Sequence, residues 1–227
     1  MRSVEKIVEE QVHRWNLLRR EAAEPPQTLV VTVSRQPGSG GRLVAQAIAA
    51  KLGLDLFHQE VLHEMAKSAR MSERMVQTLD ERALSVLEDT ITSLVQRRHL
   101  WPDEYLRHLL RVIGTIGRHG RAVVVGRGAN FILPAEGRFR LRVVADRAFR
   151  ARQVAEQFTV TEEEALRRID QTDANRRAFV RKYFHADIAD PLNYDMVLNT
   201  GVLTIEQAAD AVCAVVPEMR PAVLETV

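Results

Sequence analysis

The chain has 227 residues, of which 46% are hydrophobic and 27% are charged, and its formal net charge is +2 at pH 7. This composition predicts one globular domain with additions, and the small net charge argues against a protein that coats nucleic acid or an anionic membrane. The single cysteine, Cys213, excludes an internal disulfide. No apolar run reaches the roughly 18 residues that span a bilayer, and the N-terminus lacks a signal-peptide core. We therefore expect a cytoplasmic protein without nucleic-acid or membrane partners.

Residues 3–22 have the spacing of a charged amphipathic helix, which the sequence Glu24-Pro25-Pro26 would end. Its apolar positions on one side are Val4, Ile7, Val8, Trp15 and Leu18. Because a proline break separates it from the first strand, we expect an N-terminal extension over residues 1–26 and one domain over residues 27–227. The helix could pack on its own domain or form the contact of a homodimer.

Residues 29–33 favour a β-strand, and they run into a glycine-rich turn and a helical pattern that starts at Leu43. Glycines allow several backbone N–H groups to point into one hollow at the positive end of a helix dipole, where phosphate binds. The P-loop pattern G-x-x-x-x-G-K-[ST] is incomplete. With Gly40 as its second glycine, Gly41 stands at the lysine position. Sliding the pattern by one residue puts Arg42 there and Leu43 at the hydroxyl position.

Helical and strand patterns alternate along the rest of the chain. A helix capped by Gly53 precedes a short strand at 55–57. Residues 59–119 are predicted to form three helices, with boundaries near Met71-Ser72 and Trp101-Pro102. Further strands are predicted at 122–125, 139–144 and 195–199, with one or two charged helical segments at 161–182 and an amphipathic helix at 204–216.

This alternation predicts an α/β fold with a parallel sheet of about five strands flanked by helices. Ligands of such sheets bind beyond the carboxyl ends of the strands. Three loops that leave strand ends, at residues 35–41, 126–130 and 145–146, should therefore face one crevice.

Two charged stretches have both a structural and a functional interpretation. Gly126-Arg127-Gly128 places a guanidinium just past a buried strand, where it could clamp a phosphate or could be an ordinary turn arginine. Residues 167–177 alternate charge at helical spacing. Such a helix can pair its charges on a solvated face, or it can act as a lid whose arginines close over phosphates.

Three stretches together resemble the cytidylate kinase-like family of P-loop nucleoside monophosphate (NMP) kinases. They are Ser34 to Arg42, the strand that ends in Gly126-Arg127-Gly128-Ala129-Asn130, and Asp190-Pro191-Leu192-Asn193-Tyr194-Asp195. The resemblance covers about residues 28–217, and one branch of the family also lacks the P-loop lysine. It implies a P-loop kinase fold, ATP and Mg²⁺ as cofactors, nucleotide substrates as partners, an NMP-binding region at 59–119 and a lid at 161–182.

Carried over by position, the resemblance assigns roles to single residues. The ATP phosphates would be bound by Gly38, Ser39, Gly40, Gly41 and Arg42. The acceptor would be bound by Arg35, Arg127 and Asp173. Catalysis would fall to Arg42, Arg168 and Arg176, while no metal ligand is assigned.

The chain departs from true cytidylate kinases at two places. They have an aspartate where this chain has Gly128, and their loop ends in Lys-Gly-Thr where this one ends in Gly41-Arg42-Leu43. The lysine neutralises the transferring phosphoryl group and the threonine hydroxyl holds magnesium. The leading hypothesis is ATP-dependent phosphoryl transfer to a nucleoside monophosphate, CMP or dCMP first. The alternatives are a nucleotide-binding regulatory protein with weakened catalysis and a kinase for another small metabolite.

Overall fold

The computed structural model describes residues 3–21, 29–135 and 137–216, with no side chain described for residues 18–21. The predicted helix end at Glu24-Pro25-Pro26 and the predicted apolar side chain of Leu18 lie outside this part of the chain. None of the helices described is long and apolar enough to cross a membrane.

Five strands form one parallel sheet, in the order β2-β3-β1-β4-β5. The strands are β1 (Val30–Arg35), β2 (Asp55–Phe57), β3 (Ala122–Val125), β4 (Arg138–Val144) and β5 (Met196–Asn199). Every connection between consecutive strands contains at least one helix, which is what a parallel pairing requires. The predicted α/β fold with a parallel sheet of about five strands is confirmed.

The interior strand β3 is apolar at consecutive positions because both of its faces are buried. Ala122 and Val124 pack into the core cluster on one side of the sheet, and Val123 and Val125 into the cluster on the other. The second side is covered by α2 (Gly41–Leu52) and α10 (Ile205–Val215). The helices between β2 and β3, together with the short α7 (Ala129–Ile132), cover the first side.

Residues 59–119 form four helices, so the predicted number of three is wrong. They are α3 (Gln59–Lys67), α4 (Ala69–Val76), α5 (Glu81–Arg97) and α6 (Glu104–His119). The first break falls at Ser68, whose hydroxyl accepts a hydrogen bond from the Met71 N–H and caps α4. Ser72, predicted as a helix start, is buried inside α4. The side chains of Ser68 and Asp80 thus cap the starts of α4 and α5, where the hydrophobic period alone gave no signal.

The charged segment predicted at 161–182 is a single long helix. Helix α8 (Arg147–Phe158) leads into α9 (Glu162–Phe184), and a short 3₁₀ turn, Pro191–Asn193, precedes β5. The charged first half of α9 and its aromatic last turn therefore belong to one continuous helix.

The N-terminal helix α1 (Val4–Glu21) packs against the edge of the sheet and the helices beside it. Val8 and Trp15 are buried, and the Trp15 ring stacks on His119 with 3.9 Å between ring centroids. The Gln11 amide donates to the Asp55 carboxylate at 2.7 Å, and Arg14 pairs with the same group. The apolar side of α1 therefore packs on the rest of the chain. A homodimer contact through α1 would have to use the exposed face of the helix.

We predict that Trp15→Ala lowers the free energy of unfolding by about 3–5 kcal/mol, because it removes a large buried ring. Leu17→Ala is the matched control on the same helix. Leu17 is 44% exposed, so its truncation should change stability by less than about 0.5 kcal/mol. Urea denaturation measures both effects, and equal losses for the two variants would show that α1 does not pack as described.

Candidate active site

Three neighbouring strands, β3, β1 and β4, end at the same edge of the sheet. A cavity of about 350 Å³ opens there, between the ends of β1 and β3 and the second half of α9. We call it the strand-end cavity. Its lining includes Ser34 and Arg35 from β1, Arg127 and Asn130 after β3, and Arg176 and Phe179 from α9.

The glycine loop lies at the end of β1 and leads directly into α2. Gly38 and Gly40 have positive φ angles of 77° and 69°, which turn the chain tightly enough for α2 to begin at Gly41. Among the residues that the structure describes, none accepts a hydrogen bond from the backbone N–H groups of Gly40, Gly41 or Arg42. These N–H groups and the positive end of the helix dipole form a hollow that suits phosphate oxygens.

Side chains below the loop fasten it to the sheet. The Ser39 hydroxyl is buried, and its one donor lies within hydrogen-bonding distance of the backbone oxygens of Gln36, at 2.9 Å, and Val143, at 3.3 Å. Thr200 Oγ1 donates in turn to the backbone oxygen of Ser39. The predicted phosphate-binding role of Ser39 therefore does not extend to its hydroxyl, which holds the loop in place instead.

The loop has no room for a side chain at the position where one register of the P-loop pattern puts the lysine. A Cβ atom at Gly41 would lie 2.6 Å from the Cβ of Arg35. A Cβ at Gly40 would lie 2.7 Å from Ile205 Cδ1. A long, positively charged side chain is therefore accommodated only at the next residue. That residue is Arg42, which is exposed in the first turn of α2.

Four arginines gather at this edge of the sheet: Arg35, Arg42, Arg127 and Arg176. We call them the arginine cluster. Burial of the guanidinium and the charge of Arg176 lower the pKa of Arg35 to about 9, and Arg127 and Arg42 add to the shift. The carboxylate of Glu60 opposes it. Burial also lowers the pKa of Arg176, whose Nη1 donates to the backbone oxygen of Arg35 at 2.7 Å.

Guanidinium groups stay protonated in proteins, so the cluster keeps its positive charge. No aspartate or glutamate occurs among the described residues that line the strand-end cavity. Holding like charges together in a partly buried place costs free energy unless a counter-ion is present. The cavity therefore favours an anion, and phosphate matches the forked donors of arginine.

Arg127 has a strained backbone, which aims its side chain into the cavity. Its φ is +53°, between Gly126 at +80° and Gly128 at +69°, and non-glycine residues seldom adopt this region. The guanidinium carbon lies 5.6 Å from the ring centre of Phe179, and Nε is buried without a hydrogen-bond partner among the described residues. A strained arginine with an unused buried donor fits a group that binds a ligand.

Of the residues predicted for catalysis or acceptor binding, the cavity lining includes Arg35, Arg127 and Arg176 but not Arg42, Arg168 or Asp173. Arg168 lies on the exposed side of α9, where Nε donates to Glu164 at 2.8 Å and the guanidinium stacks over Phe158. The predicted acceptor ligand Asp173 instead accepts from Arg150 Nη1 at 2.8 Å. That ion pair joins α8 to α9. Because the Asp173 carboxylate already accepts this hydrogen bond, it is engaged within the protein.

Sequence reasoning missed two sets of residues at the site. His58 and Glu60 follow β2, whose carboxyl end meets the same edge, so the strand-end rule applied to β2 would have found them. The second set is a buried network in which Arg142 Nη1 donates to Ser34 Oγ at 2.9 Å and to Tyr194 Oη at 3.3 Å. A charged residue inside a central strand was the available signal for Arg142.

The predicted Mg²⁺ finds no dedicated site in the part of the chain described. No group of three or more His, Cys, Asp or Glu side chains there is arranged to hold a metal ion. The Ser39 hydroxyl faces the sheet, and Leu43 stands exposed at the hydroxyl position of the register that uses Arg42. Because Mg²⁺ keeps waters and substrate phosphates as ligands, such an ion would be held mainly by the nucleotide.

We predict that Arg42→Gln raises the pKa of His58 toward the ordinary histidine value. Burial first, and then the charges of Arg42 and Arg35, hold this pKa below the usual range, because positive charge disfavours the imidazolium. Arg82→Gln, which removes an exposed arginine from α5, is the control. NMR titration of the His58 ring measures the shift, and an equal response to both substitutions would contradict the placement of Arg42.

Comparison with known proteins agrees with this architecture. A family model described as the cytidylate kinase-like family matches residues 30–202. A cytidylate kinase from Pyrococcus horikoshii is 27% identical over 192 residues, which cover 82% of this chain and 90% of that protein. The crystal structure of an uncharacterised protein from Eubacterium ventriosum has a TM-score of 0.63 at 21% identity, covering 83% of this chain and 98% of the other, and shares the fold. Because the family model spans most of its length, this chain belongs to the cytidylate kinase-like family.

Proposed function

We propose that this protein transfers the γ-phosphoryl group of ATP to a nucleoside monophosphate, with CMP or dCMP as the first acceptors to test. One observation carries the proposal: the hollow of free N–H groups at Gly40, Gly41 and Arg42 lies beside a cavity lined by three arginines. Two phosphate-binding places at one strand edge are what a phosphoryl donor and a phosphorylated acceptor require. The family membership and the cytidylate kinase relative point the same way.

In this proposal the glycine loop holds the ATP phosphates and the strand-end cavity holds the acceptor phosphate. Arg35, Arg127 and Arg176 line that cavity and would bind the acceptor through charge-assisted hydrogen bonds. Arg42 stands in the first turn of α2 and acts electrostatically on Arg35 and Glu60. From there it would neutralise negative charge on the phosphoryl group during its transfer, which is the role of the missing lysine.

The helices between residues 59 and 119 would form the acceptor-binding region, and the charged start of α9 would form the lid. Arg168 would have to release Glu164 to reach the phosphates. Both side chains are solvated, with 45% and 35% of their surface exposed. An exposed ion pair of this kind contributes about 0–1 kcal/mol, so breaking it costs little. Mg²⁺ would arrive with the nucleotide and add positive charge at the phosphates.

A second candidate is a regulatory protein that binds the nucleotides and transfers phosphate poorly. The observation that favours it is the loop itself, where the Ser39 hydroxyl faces the sheet and Leu43 is 53% exposed in place of a hydroxyl residue. Such a protein would be stabilised by ATP and by CMP in thermal unfolding without forming ADP.

The function is tested by ADP release with ATP, Mg²⁺ and a panel of nucleoside monophosphates. Turnover with at least one pyrimidine monophosphate is the expected result. Thermal stabilisation by nucleotides without any ADP release would favour the regulatory candidate, and turnover only with acceptors that are not nucleotides would overturn the NMP kinase proposal.

We predict that Arg127→Gln lowers kcat/KM for the acceptor by about 10–10²-fold, because a hydrogen bond to a charged group contributes about 1.5–3 kcal/mol. The apparent affinity for ATP should stay close to that of the wild type. Arg118→Gln removes an exposed arginine from the last turn of α6 and should leave both unchanged. Equal acceptor kinetics in the Arg127 and Arg118 variants would contradict the placement of the acceptor phosphate.

A further inference from the structure

We propose that the Ser34 hydroxyl donates a hydrogen bond to the phosphate bound in the strand-end cavity, and that the buried guanidinium of Arg142 positions this hydroxyl. The inference rests on the proposed function only for the identity of that phosphate, which would belong to the acceptor. Ser34 lines the cavity, whereas Arg142 is 7% exposed and stands outside the lining. Ser34 is therefore a binding residue and Arg142 a positioning residue.

The register of the sheet puts Arg142 directly beside Ser34. The two residues are partners in the parallel pair of β1 and β4, so their side chains lie on the same face of the sheet. The apolar residues of β4 that alternate with its arginines pack on the opposite face, under α2 and α10. Arg142 Nη1 donates to Ser34 Oγ at 2.9 Å, which is an ordinary hydrogen-bond distance.

Two arginines on this face of β4 differ in their partners. Arg140 pairs with the Asp195 carboxylate at 2.6 Å. Arg142 is buried, yet its hydrogen-bond partners among the described residues are the neutral hydroxyls of Ser34 and Tyr194. A buried cation costs free energy unless an opposite charge approaches it. An anion held by Ser34 in the cavity would supply that charge.

The hydrogen bonds of Ser34 leave its own proton available. Arginine has only donors, so Ser34 Oγ is the acceptor in its contact with Arg142. Tyr194 Oη lies 3.3 Å from Ser34 Oγ and donates to the Ile188 oxygen at the shorter distance of 2.9 Å. O–H···O bonds usually measure about 2.5–3.0 Å, so Tyr194 does not compete strongly for the Ser34 proton. Because Ser34 lines the cavity, this proton can be donated to an anion there.

The other uncharged polar side chains of the lining are not held as donors in this way. Thr172 stands on α9, and no hydrogen bond of the described residues uses its side chain. An amide, or a hydroxyl that nothing orients, can present either an acceptor or a donor to a ligand. Four other members of the lining already form hydrogen bonds within the protein, namely Thr32, Gln59, Asn130 and Asn175.

The segment 190–195 holds Arg142 from the side opposite Ser34. Tyr194 is buried, its Oη accepts from Arg142 Nη1 at 3.3 Å, and its ring centre lies 5.3 Å from the guanidinium carbon. The charge fixed in this way reaches the arginine cluster. Burial is the main cause that lowers the pKa of Arg176, and the charge of Arg142 adds to the effect. The segment thus fixes a cation behind Ser34, close enough to act on a phosphate in the cavity.

The Ser34 contact is tested by titration with inorganic phosphate, without ATP, while the amide NMR signals of Arg127 and Gly128 are followed. Ser34→Ala should raise the phosphate Kd at these amides by about 10–10²-fold, because a hydrogen bond to a charged group is lost. Thr172→Val, which removes another hydroxyl of the lining, should raise it by less than about threefold. Equal Kd values for Ser34→Ala and the wild type, equal losses in the two variants, or no response of these amides in the wild type would overturn the proposal.

A ligand control separates the loss of one contact from general damage to the site. In Ser34→Ala, the Kd of a non-hydrolysable ATP analogue, measured at the amides of Gly40 and Gly41, should stay within about threefold of the wild-type value. Ser85→Ala removes an exposed hydroxyl from α5 and should change neither Kd. An equal loss of affinity for phosphate and for the ATP analogue in Ser34→Ala would contradict the assigned contact.

The positioning role of Arg142 is tested by a double-mutant cycle on the phosphate Kd. Arg142→Met removes the same charge in either background, so the difference between backgrounds reports only what Arg142 does through Ser34. We expect Arg142→Met to raise the Kd at least about threefold more in the wild type than in Ser34→Ala. Arg142→Lys, which keeps the charge and loses the forked donors, replaces it in the cycle if Arg142→Met does not fold. Equal factors in both backgrounds would overturn the positioning role.

These measurements fail separately from the proposed function, because phosphate binding needs no turnover. Phosphate binding that depends on Ser34, without ADP release for any nucleoside monophosphate, would remove the kinase proposal and leave the phosphate site. Turnover of a nucleoside monophosphate with an unchanged phosphate Kd in Ser34→Ala would leave the kinase proposal and overturn the role of Ser34.

Discussion

Positive charge gathered at the carboxyl ends of parallel strands is the constraint on which the site depends. Because β2, β3, β1 and β4 run in one direction, the groups that follow them meet at one edge. Arg35 and Arg127 arrive there from β1 and β3, Arg176 comes from α9, and the carboxylate of Glu60 partly offsets the charge around Arg35. An arrangement of this kind is stabilised by an anion, so the architecture fits the proposed binding of phosphate groups.

The rest of the fold keeps these charges in place. Ser39 and Thr200 fasten the glycine loop to β4 from below, and the Asp173 to Arg150 pair joins α9 to α8 beside it. The site residues therefore lie at strand ends, on short loops and on helices that pack on the sheet, which is the rigid support that the proposed catalysis by positioning needs. The side chains of Phe131 and Phe179 line the strand-end cavity, and Phe184 packs against both.

The strands and the glycine loop could be predicted from sequence because their signals are local. Consecutive apolar residues such as Val123 and Val124 mark a strand buried on both faces, and glycine marks the left-handed turn at residue 40. The failures involve contacts between distant residues. Nothing near Asp173 shows that Arg150 takes its carboxylate, and nothing near Gly128 shows that Phe184 fills its space. Position in a family pattern cannot predict such pairings.

The central claim is that donor and acceptor phosphates occupy two adjacent places at one strand edge. Amide NMR spectra recorded with a non-hydrolysable ATP analogue and, separately, with CMP test it most directly. The account predicts that the ATP analogue shifts the amides of Gly40, Gly41 and Arg42, that CMP shifts those of Arg127 and Gly128, and that both sets shift together when both ligands are present. Competition of the two ligands for one set of amides, or binding of either elsewhere on the protein, would contradict it.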